Sequence, residues 1–173
     1  MIEVEFTIHL LDENYRHLNV TESDLSENFV AFQARLLERE ELEGDIVFKR
    51  EGFPDLEITD LLLVSIQKIC FEFVTQCLQE QIDTFLYNFW VQDEQLVLLP
   101  MAGYIRAMME EMPVVAYPKE DFLRALFACG TRYLLFAQKL ASLGRADWSI
   151  EKLKEQKAIT RAALTEHSLI SEL

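Results

Sequence analysis

The chain has 173 residues, half of them hydrophobic and 11% aromatic, with 30 acidic side chains against 16 basic ones for a net charge of −14. That much apolar material excludes a disordered chain, and a field of that sign excludes electrostatic attraction to nucleic acid or to an anionic membrane. A chain of this length buries about two-thirds of its unfolded surface around one core, so residues 1–146 are expected as a single α+β domain and 147–173 as a C-terminal amphipathic helix, packed on it or mediating association. Three cysteines, an odd number, and a start without the basic and apolar segments of a secretory signal point to the reducing cytoplasm.

In the first ten residues Ile2, Val4, Phe6, Ile8 and Leu10 alternate with Glu3, Glu5, Thr7 and His9, the period of a half-buried strand with one wet face. After a polar link, Leu25, Phe29, Phe32 and Leu36 recur at helical spacing, and Gly44 offers a stop. "DIVFKR" and "DLEITD" then alternate on either side of "EGFPD", whose Gly52 and Pro54 supply hairpin turn chemistry. Thr59 or Asp60 is expected to cap a helix running to about Gln81, with Ser65, Lys68, Glu72, Thr75 and Gln79 as its narrow wet stripe.

"TFLYNFWV" and "QLVLLP" flank the break Gln92, Asp93, Glu94 and read as a hairpin whose strands, apolar on both faces, belong in the centre of a sheet. Met101, Ile105, Met108 and Met112 follow the spacing of a short helix, although Gly103 would also permit continued extension. Pro118 opens the next helix and Gly144 ends it. A last helix, from about Trp148 to His167, is amphipathic through Ile150, Leu153 and Ile159. The expected architecture is α+β: an antiparallel sheet of about five strands packed against two core helices, plus the C-terminal helix.

The residues that look chemical read as structural. Phe122, Leu126, Cys129, Tyr133, Phe136 and Leu140 share one helical stripe, which places the Cys129 thiol in the core, where burial disfavours the reactive thiolate. Gly130 in mid-helix costs about 1 kcal/mol relative to alanine unless another element presses against it. Cys70 and Cys77 stand two helical turns apart, about 10 Å, too far for a disulfide and unlike the spacing of zinc ligands. His9, His17 and His167 read as surface residues, Asp55, Glu57 and Asp60 as solvated carboxylates, and the methionines of 101–112 as core filler. Tyr87, Phe89 and Trp90 are core candidates; a Trp90 turned away from the helices would instead anchor an interface. No phosphate loop, nucleophile elbow or metalloprotease motif is present, so neither an enzyme nor a cofactor or metal is expected.

The acidity is local: residues 1–60 hold 16 acids against 5 bases, residues 61–146 hold 9 against 7, and the tail holds 5 against 4. The order of elements, from an N-terminal edge strand and an acidic helix through two hairpins separated by a buried helix to "YPKEDFLRALFACGTRYLLF", resembles small acidic bacterial immunity proteins. The resemblance implies a cytoplasmic inhibitor of a basic toxin or effector, without assigning any residue a role. Charge concentration by itself suggests Glu22, Asp24, Glu27, Glu38, Glu40, Glu41 and Glu43 as the partner-binding set, gripping a cationic groove. The competing expectation is a type III-like secretion chaperone or other small dimeric client-binding protein, acting through the methionines or the final helix; the chain would be a monomer or a homodimer.

Overall fold

The computed structural model describes residues 1–11, 14, 16–145 and 149–171. Among these, the chain is mixed α+β, with eight strands in two antiparallel four-stranded sheets rather than one sheet of five. The first sheet joins β1 (Ile2–Leu11), β2 (His17–Thr21), β3 (Glu43–Arg50) and β4 (Leu56–Leu61) in the order β2-β1-β3-β4. β1 therefore lies inside the sheet and not at its edge. The extra neighbour is β2, whose short polar run "HLNVT" carries too weak an alternation to stand out from a link.

The expected pairing of β3 with β4 is present, with Asp45 opposite Thr59 and Val47 opposite Glu57. Gly44 is part of β3 and ends no helix: a Cβ there would lie 2.0 Å from the Thr7 carbonyl oxygen. Helix α1 (Glu22–Glu38) starts from Thr21, whose side chain caps Asp24 N while Asp24 returns a bond to the Thr21 backbone. Leu25, Phe29 and Leu36 bury its apolar face.

The central helix runs without interruption from α2 (Leu62–Ser65) through a π-helical segment (Ile66–Glu72) into α3 (Phe73–Leu78). Neither Thr59 nor Asp60 caps it, because both are still paired in β4 and the helix opens after Leu61 with no side-chain cap. The π winding brings Gln67 and Glu72, five residues apart, into a hydrogen bond. It also leaves the Phe71 carbonyl 3.1 Å from the buried Thr160 hydroxyl, which lies 2.9 Å from the Thr75 hydroxyl.

Thr160 belongs to α5 (Ile150–Glu166), which packs on the central helix and on α4 (Lys119–Ser142). Ile150, Leu153, Thr160, Ala163 and Leu164 form the buried face of α5. Ile159 is 43% exposed and departs from the expected stripe; Trp148 lies outside the described residues. Helix α4 buries Phe122, Leu126, Cys129, Tyr133 and Leu140 as its period requires, and Gly144 follows it at φ +102°. Gly130 faces the central helix so closely that a Cβ would come within 2.8 Å of Cys70 Cβ and Phe71 Cζ.

The second sheet contains β5 (Phe85–Asn88), β6 (Gln95–Pro100), β7 (Tyr104–Met108) and β8 (Val115–Pro118) in sequential order. The spacing of 101–112 is thus not helical: Tyr104–Met108 buries Ile105 and Ala107 in strand alternation. Met109 packs partly buried against the core and Met108 is partly buried, whereas Met101 and Met112 are 41% and 39% exposed, so the four do not fill the core as a group. β6 is internal as expected, but β5 is an edge, paired with β6 alone among the described strands and separated from the central helix by a groove.

Asp60 ties the two sheets together. Fully buried, and not solvated as its neighbours in the sequence suggest, it accepts from the Tyr87 hydroxyl, from Trp90 N at 2.9 Å and from Val91 N at 3.2 Å. A carboxylate can lie this deep because each oxygen is hydrogen-bonded. Burial first, and then Asp60, push the Tyr87 phenol pKa up. Tyr117 offers the contrast: stacked 4.4 Å from Phe122, its buried hydroxyl has no hydrogen-bond partner among the described residues, and burial pushes its pKa up to about 12.

Two stability measurements follow by denaturant titration. Gly130→Ala is expected to lower stability by about 1–2 kcal/mol, because overpacking against Cys70 and Phe71 outweighs the gain in helix propensity. The tyrosines should give opposite signs. Tyr87→Phe leaves Asp60 short of a donor and costs about 1–3 kcal/mol, whereas Tyr117→Phe removes an unsatisfied polar group and is neutral or stabilising.

Candidate functional site: the acidic face of the first sheet

Strand alternation divides β1, β3 and β4 into a core face and a solvent face. The core side carries Val4, Phe6, Ile8, Ile46, Phe48, Leu56 and Ile58, against which α4 packs through contacts such as Phe6 with Tyr133. On the other side, the register sets Glu3 beside Lys49, Glu5 beside Val47 and Glu57, and Thr21 and Thr7 in line with Asp45 and Thr59. Glu43 and His9 lie one step further along. This surface therefore bears Glu3, Glu5, Glu43, Asp45 and Glu57 against Lys49 and His9, and Glu5 already holds Lys49 in an ion pair.

Asp45 is the centre of the face and only 1% exposed. Its Oδ1 accepts from the Thr59 hydroxyl and its Oδ2 from the Thr7 hydroxyl, each at 2.7 Å, and His9 Nε2 is also 2.7 Å from Oδ2. Burial alone would raise its pKa, but bonds from Thr59, Thr7 and His9 outweigh it and hold the carboxyl below its ordinary value. For Glu57 the balance reverses: partial desolvation beneath its neighbours, then repulsion from Asp45, raises its pKa. Both threonine hydroxyls are spent on the carboxylate and not on the imidazole, an arrangement that fixes a negative charge rather than activating a nucleophile.

The seven carboxylates suggested by charge concentration do not form one patch. Glu22 receives a two-pronged contact from Arg132, whose Nη2 also donates to the Val4 carbonyl, and it accepts from Phe6 N at 3.1 Å. Asp24 is occupied in the helix cap, where its bonds with Thr21 lower its pKa. Glu27 lies a turn on, exposed, beside Ser23. Glu38, Glu40 and Glu41 are exposed at the opposite end of the 17-residue α1, beyond its kink at Asn28. Of the seven, only Glu43 lies on the sheet face, with Glu40 and Glu41 just ahead of it in the chain.

Glu3, Glu5, Asp45 and Glu57 were not in that set, although the wet side of the β1 alternation and the outer positions of β4 already carried the signal for Glu3, Glu5 and Glu57. His9 proves half-buried against Asp45 rather than simply solvated, while His17 and His167 are exposed. Cys129 is wholly buried, and a hydrogen bond with Cys70, followed by desolvation, raises its thiol pKa well above the ordinary value.

Among the described residues no group of three or more His, Cys, Asp or Glu side chains is placed to hold a metal ion, and no helix is long and apolar enough to cross a membrane. No family model matches the chain, and comparison with curated proteins and with solved structures gives no significant match.

Asp45→Asn is expected to cost about 1–3 kcal/mol at neutral pH, since the amide turns a donor toward groups that already donate. The wild-type carboxylate contributes its full stability above the ordinary carboxyl value of 3.8, and that contribution fades as pH falls through its lower folded-state pKa. Urea unfolding at several acidities should therefore show the gap between variant and wild type closing below about pH 4. Glu57 has the opposite sign, with stability regained on acidification as its raised pKa is crossed, so it does not produce this closure.

Proposed function

We propose that the chain is a protein-binding module that receives a cationic partner on the solvent face of its first sheet, in the manner expected of an immunity protein neutralising a basic toxin or effector in the cytoplasm. One observation carries the reading. An uncovered sheet face presents Glu3, Glu43 and Glu57 as exposed carboxylates around the buried Asp45, with its lysine already neutralised by Glu5. A flat, pleated surface with an excess of carboxylates, with rigid backbone beneath it, holds its charges in place before the partner arrives. Such a surface accelerates encounter with a partner of opposite sign. The acids at Glu38, Glu40 and Glu41 extend the same field beyond the start of β3.

The test is the association rate with the basic protein retained from a host extract. Replacing Glu3, Glu43 and Glu57 together by glutamine should slow association at least tenfold at low ionic strength and leave dissociation nearly unchanged. An association rate indifferent to both salt and the triple substitution, with circular dichroism showing an intact fold, would remove the acidic face from the reading.

A further inference from the structure

The two edges of the second sheet are treated differently by the sequence. β8 ends in Pro118 and is preceded by Pro113, residues that cannot donate to an added strand, and it passes directly into α4. β5 has no such guard. Phe89 N donates to the Glu94 carbonyl directly opposite it at 3.1 Å, so the alternation of an antiparallel ladder turns the main-chain groups of Phe85, Tyr87 and Phe89 toward β6. The N–H and C=O groups of Leu86 and Asn88 consequently point away from the sheet, and no main-chain bond from either to another element is present among the described residues.

They face a groove of ≈ 580 Å³. Its opposite wall is a single row of the central helix, Val64, Lys68, Glu72 and Gln76, at four-residue spacing. Lys68 is neutralised there by Glu72 at 2.7 Å. Leu86 and Trp90, 57% and 72% exposed, stand along the β5 side, and the backbone of Trp90 is fixed by Asp60, which gives the ring a rigid base.

We propose that this groove takes an extended, basic segment of a protein partner, added to β5 as a fifth strand of the second sheet. Main-chain pairing with Leu86 and Asn88 supplies the register, and alternate side chains of the segment lie against Leu86 and Trp90. Charge around β5 selects the occupant. Within the groove Lys68 and Glu72 pair with each other, while Asp83 precedes β5 by two residues and Asp93 and Glu94 lie in the turn that follows it, all three exposed. A second copy of this chain, with its own net charge of −14, would bring like charge to these acids. The site shares no residue with the acidic face of the first sheet, so either can fail without the other.

Panning a phage-displayed library of random dodecapeptides on the full-length protein tests this directly. The expected hits combine lysine or arginine with alternating apolar residues, and a labelled synthetic hit should lose at least tenfold in affinity when alternate amides are N-methylated. Leu86→Pro should cause the same loss, because it removes an N–H that faces the groove and none that pairs with β6. If that variant does not fold, the N-methylated peptides decide the question on the wild-type protein. Absence of enrichment, binding indifferent to N-methylation, or a homodimer in sedimentation that Leu86→Pro dissolves would each overturn the proposal.

Discussion

At Gly130 a missing Cβ lets α4 settle onto the central helix with only contact distance between its backbone and Cys70 and Phe71. The rest of the molecule is arranged around this pair of helices. α4 carries Tyr133 and Phe136 to the first sheet through Phe6, and Phe122 to Tyr117 of the second. The central helix passes Phe73 to Phe85 on β5. Behind them, α5 is keyed to the π-helical segment by one hydroxyl, that of Thr160, which donates to one carbonyl at a time and accepts from Thr75. Interiors are packed too densely to absorb a displaced helix, so the spacing set at this one glycine is passed on to both sheets.

Charge in the first third of the chain serves two purposes that composition alone does not separate. Asp60 and Asp45 are buried and fully engaged, one joining the sheets and the other bracing three strands of the first sheet through Thr7, His9 and Thr59. Glu22 and Asp24 organise the start of α1 and its junction with α4. The exposed remainder is held on a sheet or at a helix end. Internal carboxylates lend the face rigidity, and exposed ones give it range, since only charges near solvent act over a Debye length of about 8 Å.

The acidic face and the β5 edge lie on different sheets and use different physics. One is flat and rich in carboxylates; the other has main-chain groups without a main-chain partner among the described residues, and two exposed apolar side chains beside a groove. Asp60 connects them mechanically, since the turn that presents Trp90 is held by a carboxylate rooted in β4. The two proposals together describe a partner with a folded basic domain and an extended basic segment.

Local periodicity was enough to locate β1, the β3–β4 pair, the central helix, α4 and most of α5, and to place Cys129 inside, because those segments repeat at 2 or 3.6 residues over long enough runs to leave no second interpretation. It could not detect β2 or β8, which are five and four residues long and become strands only by lying next to β1 and β7. Nor could it decide 101–112, where methionine spacing imitated a helix and pairing with β6 imposed a strand. The acidity of the opening third was plain in the chain, yet which carboxylates are free depended on partners 16 to 110 positions distant, such as Phe6 and Arg132 for Glu22. Burial of Asp45 and Asp60, and the exposure of one edge of the second sheet, follow from the same cause: hydrogen-bond donors and neighbouring strands brought together only when the sheets close around the helix pair.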